Sequence, residues 1–153
     1  MPVKLEHRIG VQAPAEVIWE SLVDVASWPE WTQIYSKAGG IIRIDSQLDL
    51  TLALPKRQPR EVKATVLDWA PNDHIHWTTR GRFGLSKSLR YLEIEALTET
   101  GCIFSNGEIF EGMLGEDHAA RNGFAIRSGF ALLGEALKER AEAAWQAKQK
   151  ATK

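Results

Sequence analysis

The 153 residues carry 19 lysines and arginines against 20 aspartates and glutamates, for a formal net charge of −1. That balance gives no basic field for nucleic acid, and 44% apolar with 25% charged residues is the make-up of an ordinary soluble globular chain. The length favours one domain, residues 1–153, able to bury about 70% of its extended surface without disulfide or metal staples.

The stretch from Met1 to Val11 lacks the apolar centre of a secretory leader. No run approaches the ~20 apolar residues of a membrane span. Cys102 is the single cysteine. It excludes an internal disulfide and fits a reducing compartment, so the expected location is cytoplasmic. Its apolar setting, "GCIF", reads as a buried, unreactive thiol.

In chain order, "KLEHRIGV" alternates and predicts a first strand. "QAPAEVIWESLVDV" predicts a helix, with Pro14 in its first turn and Ile18, Leu22 and Val25 on one stripe. Ser27 and Glu30 have the spacing of a capping box, and Pro29 is tolerated in a first turn, so "SWPEW" predicts a second, short helix. Trp28, Trp31 and Tyr35 would then share a face. Gly39 and Gly40 end that region.

From Gly40 the period becomes two. "IIRI", "LDLTLAL", "EVKATVLDW", "HIHWTTR", "LRYLEIEAL" and "CIFSNGEIF" predict six strands, separated by breaks with turn chemistry. Short breaks imply an antiparallel meander. After Met113 the period returns to 3.6. Ile126, Phe130, Leu133 and Leu137 fall within roughly 60° on a helical wheel. This predicts a helix from near Glu116 to near Gln149, with Phe124 off the stripe and a frayed tail over residues 150–153. The fold class is α+β: a curved seven-stranded antiparallel sheet wrapped around a long C-terminal helix, with two short helices after the first strand.

Three stretches resemble the START-like (SRPBCC) superfamily, in its polyketide cyclase/dehydrase and lipid-transport branch: "VQAPAEVIWESLVDVASWPEW", "DHIHWTTRG" and "GCIFSNGEIFEGML". The resemblance covers nearly the whole chain. It implies a helix-grip fold with a cavity between sheet and long helix. It also implies an apolar or amphipathic small molecule or lipid as ligand, or, in a minority of members, catalysis. Under that geometry the short helix lies across one end of the sheet. Trp31 and Tyr35 then either line the cavity or belong to the core.

Strand parity turns Val62, Ala64, Val66, Ile75, Trp77, Thr79, Leu92, Ile94, Phe104 and Phe110 to one face. The same parity sends the polar Arg90, Asn106 and Glu108 there, where each must be paired, hydrated or used. The candidate ligand-binding set is Trp31, Tyr35, Trp77, Arg90, Phe104, Asn106, Glu108, Phe110, Ile126 and Phe130. The expected cavity has an ordinary ligand-site volume of about 300–1,000 Å³. A three-residue turn at Gly101 would set Thr98 against Cys102 and Arg90 against Phe110, diagonal to Glu108 and within its reach. An Asn106-Gly107 bulge would shift that register.

Loop charge segregates. Asp45, Asp49, Asp68, Asp73 and Glu99 fall at one end of the meander. Lys56, Arg57, Arg60, Arg80, Arg82, Lys87 and Arg90 fall at the other, joined by Glu111, Glu116, Asp117 and His118 from the turn into the long helix. The resemblance places the cavity mouth at this second end. Lys56, Arg57, Arg60, Arg82 and Lys87 are therefore candidate mouth charges favouring a ligand with an anionic head. His74 and His76 share the outward face, but no Cys or carboxylate cluster completes a metal site, and no cofactor is expected. No Ser-His-Asp or Cys-His motif and no phosphate loop is marked. Three functions remain open: a binding protein, a cyclase/dehydrase- or aromatase-like enzyme using Arg90, Glu108 or Tyr35, and an interaction module without ligand. Oligomeric state is not legible.

Overall fold

The computed structural model describes residues 1–81 and 85–152. β1 (Val3–Val11) opens the chain and leads into α1 (Ala15–Val23), a 3₁₀ turn (Val25–Ser27) and α2 (Trp28–Trp31). Six strands follow: β2 (Tyr35–Gly39), β3 (Gln47–Leu52), β4 (Arg60–Ala70), β5 (His74–Arg80), β6 (Lys87–Thr98) and β7 (Gly101–Glu111). α3 (Met113–Ala151) ends the fold. The seven strands form one antiparallel sheet in the order β1-β7-β6-β5-β4-β3-β2. This is the expected helix-grip α+β architecture. No helix among the described residues is long and apolar enough to cross a membrane.

Pro14 caps α1 rather than entering its first turn; its carbonyl accepts the Val17 and Ile18 amides at 3.1 and 3.2 Å. Val17, Ile18 and Leu22 bury the inner face of this helix. The expected capping box does not form. Ser27 Oγ instead donates to the Asp24 carbonyl at 2.7 Å, which closes the 3₁₀ turn. α2 is a single turn. Thr32 is already extended, and Tyr35 starts a strand instead of completing a helical face.

"IIRI" is not a strand. The glycines close β2 rather than opening the next element. Gly40 has φ +119°, and a Cβ there would lie 2.6 Å from the Gln47 carbonyl oxygen, so no side chain fits the bend. Ile42 alone of the three isoleucines is buried; Ile41 and Ile44 are exposed.

β6 and β7 pair through a tighter turn than expected. Thr98 pairs with Gly101 and Ala96 with Cys102, leaving a bulge at Leu97. Arg90 therefore pairs with Glu108, and Ser88, not Arg90, with Phe110. The register moves by two residues, so every side chain keeps its face. Pairing runs unbroken through Asn106 and Gly107.

α3 starts and ends beyond the expected limits, and the tail stays helical to Ala151. Ile126, Phe130, Leu133, Leu137 and Ala141 face the sheet as their spacing predicts. Phe124 is exposed. The main core joins α1, the sheet and the C-terminal half of α3. A second cluster of Leu5, Leu54, Phe110, Ala119, Ile126 and Phe130 closes the other end.

Candidate functional site

Trp28 is the aromatic of the opening helices that anchors the interior. It is 1% exposed, and its indole N–H donates to the Leu22 carbonyl at 3.1 Å. Its ring lies 5.3 Å from Tyr35 and 5.7 Å from Trp77 between centroids. These rings form one wall of a polar centre within the sheet-helix interface.

Arg90 is that centre, at 3% exposure. Its guanidinium lies 4.1 Å from the Phe130 ring centroid and 5.7 Å from that of Trp77, close enough for cation–π attraction from both. Nε donates to Tyr35 Oη at 3.2 Å, Nη1 to the carbonyls of Tyr91 and Gly107 at 3.2 and 3.0 Å, and Nη2 to Asn106 Oδ1 at 3.0 Å. Asn106 is fully buried and spends its amide on the Phe130 carbonyl at 3.1 Å, tying β7 to α3. Arginine has five N–H donors, so one on Nη2 stays free.

Glu108 faces the same side, opposite Arg90, but the expected ion pair does not form. Arg90 is turned toward backbone carbonyls and neutral side chains instead. Burial pushes the Glu108 carboxyl above its usual range, and the Ser88 hydroxyl with the charges of Arg90 and Arg60 recovers only part of this. Burial likewise raises the Tyr35 phenol, with Arg90 acting against it.

Among the described residues, no single cavity of the expected ~300–1,000 Å³ opens at this centre between sheet and helix. Trp77, Arg90, Tyr35 and Phe130 fill the interior, leaving a gap of about 30 Å³ that is also lined by Thr79, Glu108 and Arg60. Two larger hollows adjoin it toward solvent. One, about 170 Å³, is lined by Arg60, Lys63, Arg80, Lys87, Ser88, Glu108 and Phe110. The other, about 130 Å³, is apolar and lined by Leu52, Leu54, Arg57, Arg60, His118 and Asn122. Arg60 borders all three. His118 Nε2 is buried at the apolar hollow with no hydrogen-bond partner among the described residues. Burial, with Arg60 nearby, depresses the pKa of this imidazole.

Of the candidate residues, Tyr35, Trp77, Arg90, Glu108 and Phe130 meet at the inner gap, with Asn106 behind them. Phe110 reaches the polar hollow. Trp31, Phe104 and Ile126 pack in the two cores and line none of the three spaces. Among the mouth charges, Arg60, Arg57 and Lys87 line hollows, Lys56 does not, and Arg82 lies outside the described residues. Sequence reasoning passed over Thr79, Ser88, His118 and Asn122 as site residues. Ser88 carried a signal, because it shares parity with Arg90.

One exclusion is corrected. Carboxylates do gather at the outward histidines: Asp68 and Asp73 on His74, and Glu93 on His76. Asp68 lies on the outer face because β4 bulges between Val66 and Asp68.

A polar centre gripped between a curved sheet and a long helix, opening on a charged mouth, defines a small-molecule-binding or cyclase-like fold. The chain belongs to the polyketide cyclase/dehydrase and lipid transport family, whose model matches residues 2–146. No curated protein matches it. Among solved structures it is similar to the di-domain ARO/CYC StfQ of the steffimycin biosynthetic pathway, with TM-score 0.67 and 16% identity over 94% of this chain. The chain spans about half, 52%, of that protein. It is similar to norcoclaurine synthase from Thalictrum flavum, with TM-score 0.68 and 15% identity over 91% of this chain and 86% of the other. A protein from Nitrosomonas europaea gives TM-score 0.69 and 12% identity over 93% and 96%. Identities this low bear on the fold alone.

Proposed function

We propose that the protein binds a small amphipathic molecule, with an anionic or hydrogen-bond-accepting head directed past Arg60 toward Arg90. The carrying observation is Arg90 itself. A buried guanidinium whose hydrogen-bond partners are all neutral, with one N–H free and Glu108 opposite but not bonded to it, can take an acceptor from a ligand. The inner gap of about 30 Å³ has room for a head of a few atoms, and the two hollows at Arg60 offer space for a body. The buried, unpartnered His118 Nε2 adds a polar handle in the apolar hollow. The single buried Cys102 fits action in the cytoplasm.

Native mass spectrometry of freshly purified protein, followed by titration with decanoic acid and decanol read by tryptophan fluorescence, tests this. The acid is expected to bind more tightly, and Arg60→Gln to remove most of the difference. Equal affinities for acid and alcohol would sink the anionic head. Binding of neither probe, with no co-purified molecule, would favour the ligand-free interaction module that the filled interior also suits.

An enzymatic reading draws on Glu108. A carboxyl whose pKa is raised by burial, beside the Tyr35 phenol and the Arg90 cation, is equipped for proton transfer with stabilisation of a developing oxyanion. The ARO/CYC protein and the norcoclaurine synthase that share the fold fit this reading. Its mark is turnover lost in Glu108→Gln while ligand binding persists.

A further inference from the structure

We propose that the outer face of the sheet, away from the Arg90 centre, carries a binding site for a divalent transition-metal ion of the Zn²⁺ class, with Asp68, His74 and His76 as ligands. His74 and His76 are two apart on β5, so both project from the same side of the sheet. Their ring centroids are 4.5 Å apart. One ligand atom from each of the three residues lies within 4.8 Å of the other two. A tetrahedral ion with bonds of about 2.0–2.1 Å separates its ligand atoms by about 3.3 Å, so small side-chain movements close the site.

Asp68 is on this face because of a local irregularity. Val66 pairs with Trp77 on the core side, and an unbroken ladder would send Asp68 to that side too. The bulge at Leu67 instead pairs Asp68 with His76 on the outside. Bulges re-aim side chains in this manner.

The rings are held from behind. Asp73 Oδ2 is 2.6 Å from His74 Nδ1, and Glu93 Oε2 is 2.8 Å from His76 Nε2. This leaves His74 Nε2, already 2.9 Å from Asp68 Oδ2, and His76 Nδ1 for a metal. A carboxylate that accepts the second N–H of a liganding histidine fixes its tautomer and raises its basicity. Here both histidines have one. The histidine side chains are 18% and 24% exposed, so an ion reaches them from solvent and keeps water in its remaining positions. Asp68, Asp73 and Glu93 supply three negative charges around two imidazoles. Two imidazoles with one carboxylate suit Zn²⁺, Cu²⁺ or Ni²⁺, whereas Mg²⁺ and Ca²⁺ prefer all-oxygen sets. An ion here would clip β4 to β5 across the turn at Asn72, whose φ is +65°.

The test is calorimetric titration of ZnCl₂ into the metal-stripped full chain, with Cu²⁺ as an electron paramagnetic resonance probe. One Zn²⁺ per chain is expected, with no competition from MgCl₂, and the Cu²⁺ spectrum should show two imidazole nitrogens. The double change His74→Gln, His76→Gln should weaken Zn²⁺ binding at least about 100-fold, and Asp73→Asn about 10–100-fold. Circular dichroism checks that both variants fold; their sites are at the surface, so wild-type spectra are expected. No Zn²⁺ uptake by the wild type, or equal uptake by the folded double variant, overturns the proposal.

Discussion

Arg90 is held by four hydrogen bonds and two aromatic faces, and none of these partners is a carboxylate. Changing it to Met keeps much of the volume but strands Asn106 Oδ1 and two backbone carbonyls. Arg90→Met should therefore destabilise the fold by about 2–4 kcal/mol in urea unfolding. A loss under about 1 kcal/mol would mean that desolvating the cation nearly cancels its bonds, as for some buried ion pairs. Glu108 makes the opposite prediction. Its folded pKa is raised by burial above the usual carboxylate range. Between the unfolded and folded pKa values the native state binds more protons, so stability falls as pH rises through that window. The loss persists at pH 7. Glu108→Gln should then be more stable than wild type at pH 7, and the two should converge below the unfolded pKa. Lower stability of the variant at pH 7 would show that Arg90, Arg60 and Ser88 outweigh burial.

At the scale of elements, two glycines separate packing from propensity. A Cβ on Gly107 would lie 2.3 Å from Tyr91 Oη and 2.6 Å from the Leu5 carbonyl oxygen, where the outer face of β7 meets β1 and the Tyr91–Glu6 hydrogen bond. Gly107→Ala should cost about 1–3 kcal/mol. Gly123, inside α3, has nothing within 4 Å of an added Cβ. Gly123→Ala should gain about 0.5–1 kcal/mol from helix propensity. A chemical denaturation series on both variants checks the pair. The elements themselves were legible where periodicity ran long: β4 to β7 and α3 stand nearly where their patterns put them. They were not legible where a short apolar run had two solutions. "IIRI" fits a strand by composition, yet Gly40 turns the chain before it and β2 forms upstream at Tyr35. The register beyond Gly101 differs from the expected one by two residues, one from the tighter turn and one from the bulge at Leu97. That error left parity intact, so Arg90, Asn106 and Glu108 could be assigned to one face from sequence. Their mutual distances could not, because these depend on rotamers set by Phe130 and Trp77 from other elements. Trp28 and Trp31 show the same limit: both satisfy the helical spacing, and only the packing against Tyr35 and Trp77 selects Trp28.

Across the whole molecule, segregated charge is a sequence property whose value depends on where it is spent. Two of the acids that accompany the basic end are engaged elsewhere: Glu116 with the N-terminal ammonium at 2.9 Å, and Asp117 with Arg121 at 3.0 Å. Among the described residues, Arg60 and Lys87 make no ion pair, although both line the polar hollow. Arg60 acts on Glu108, which lines the same hollow, and both cations remain open to a ligand there. Exposed charges are screened over about 8–10 Å at physiological salt, so the preference for an acid over its alcohol should be modest, about 1 kcal/mol in total. It should shrink as salt rises, while apolar burial, at about 25 cal/mol per Å², holds the remaining affinity constant. The double change Arg60→Gln, Lys87→Gln should flatten the salt dependence. Lys56→Gln should leave it as it is, because Lys56 lines none of the hollows. Decanoate titrations at low and high salt, on wild type and both variants, read this directly. Equal salt slopes in wild type and the double variant would mean that the anionic head, if bound, is held by Arg90 alone and not by the mouth.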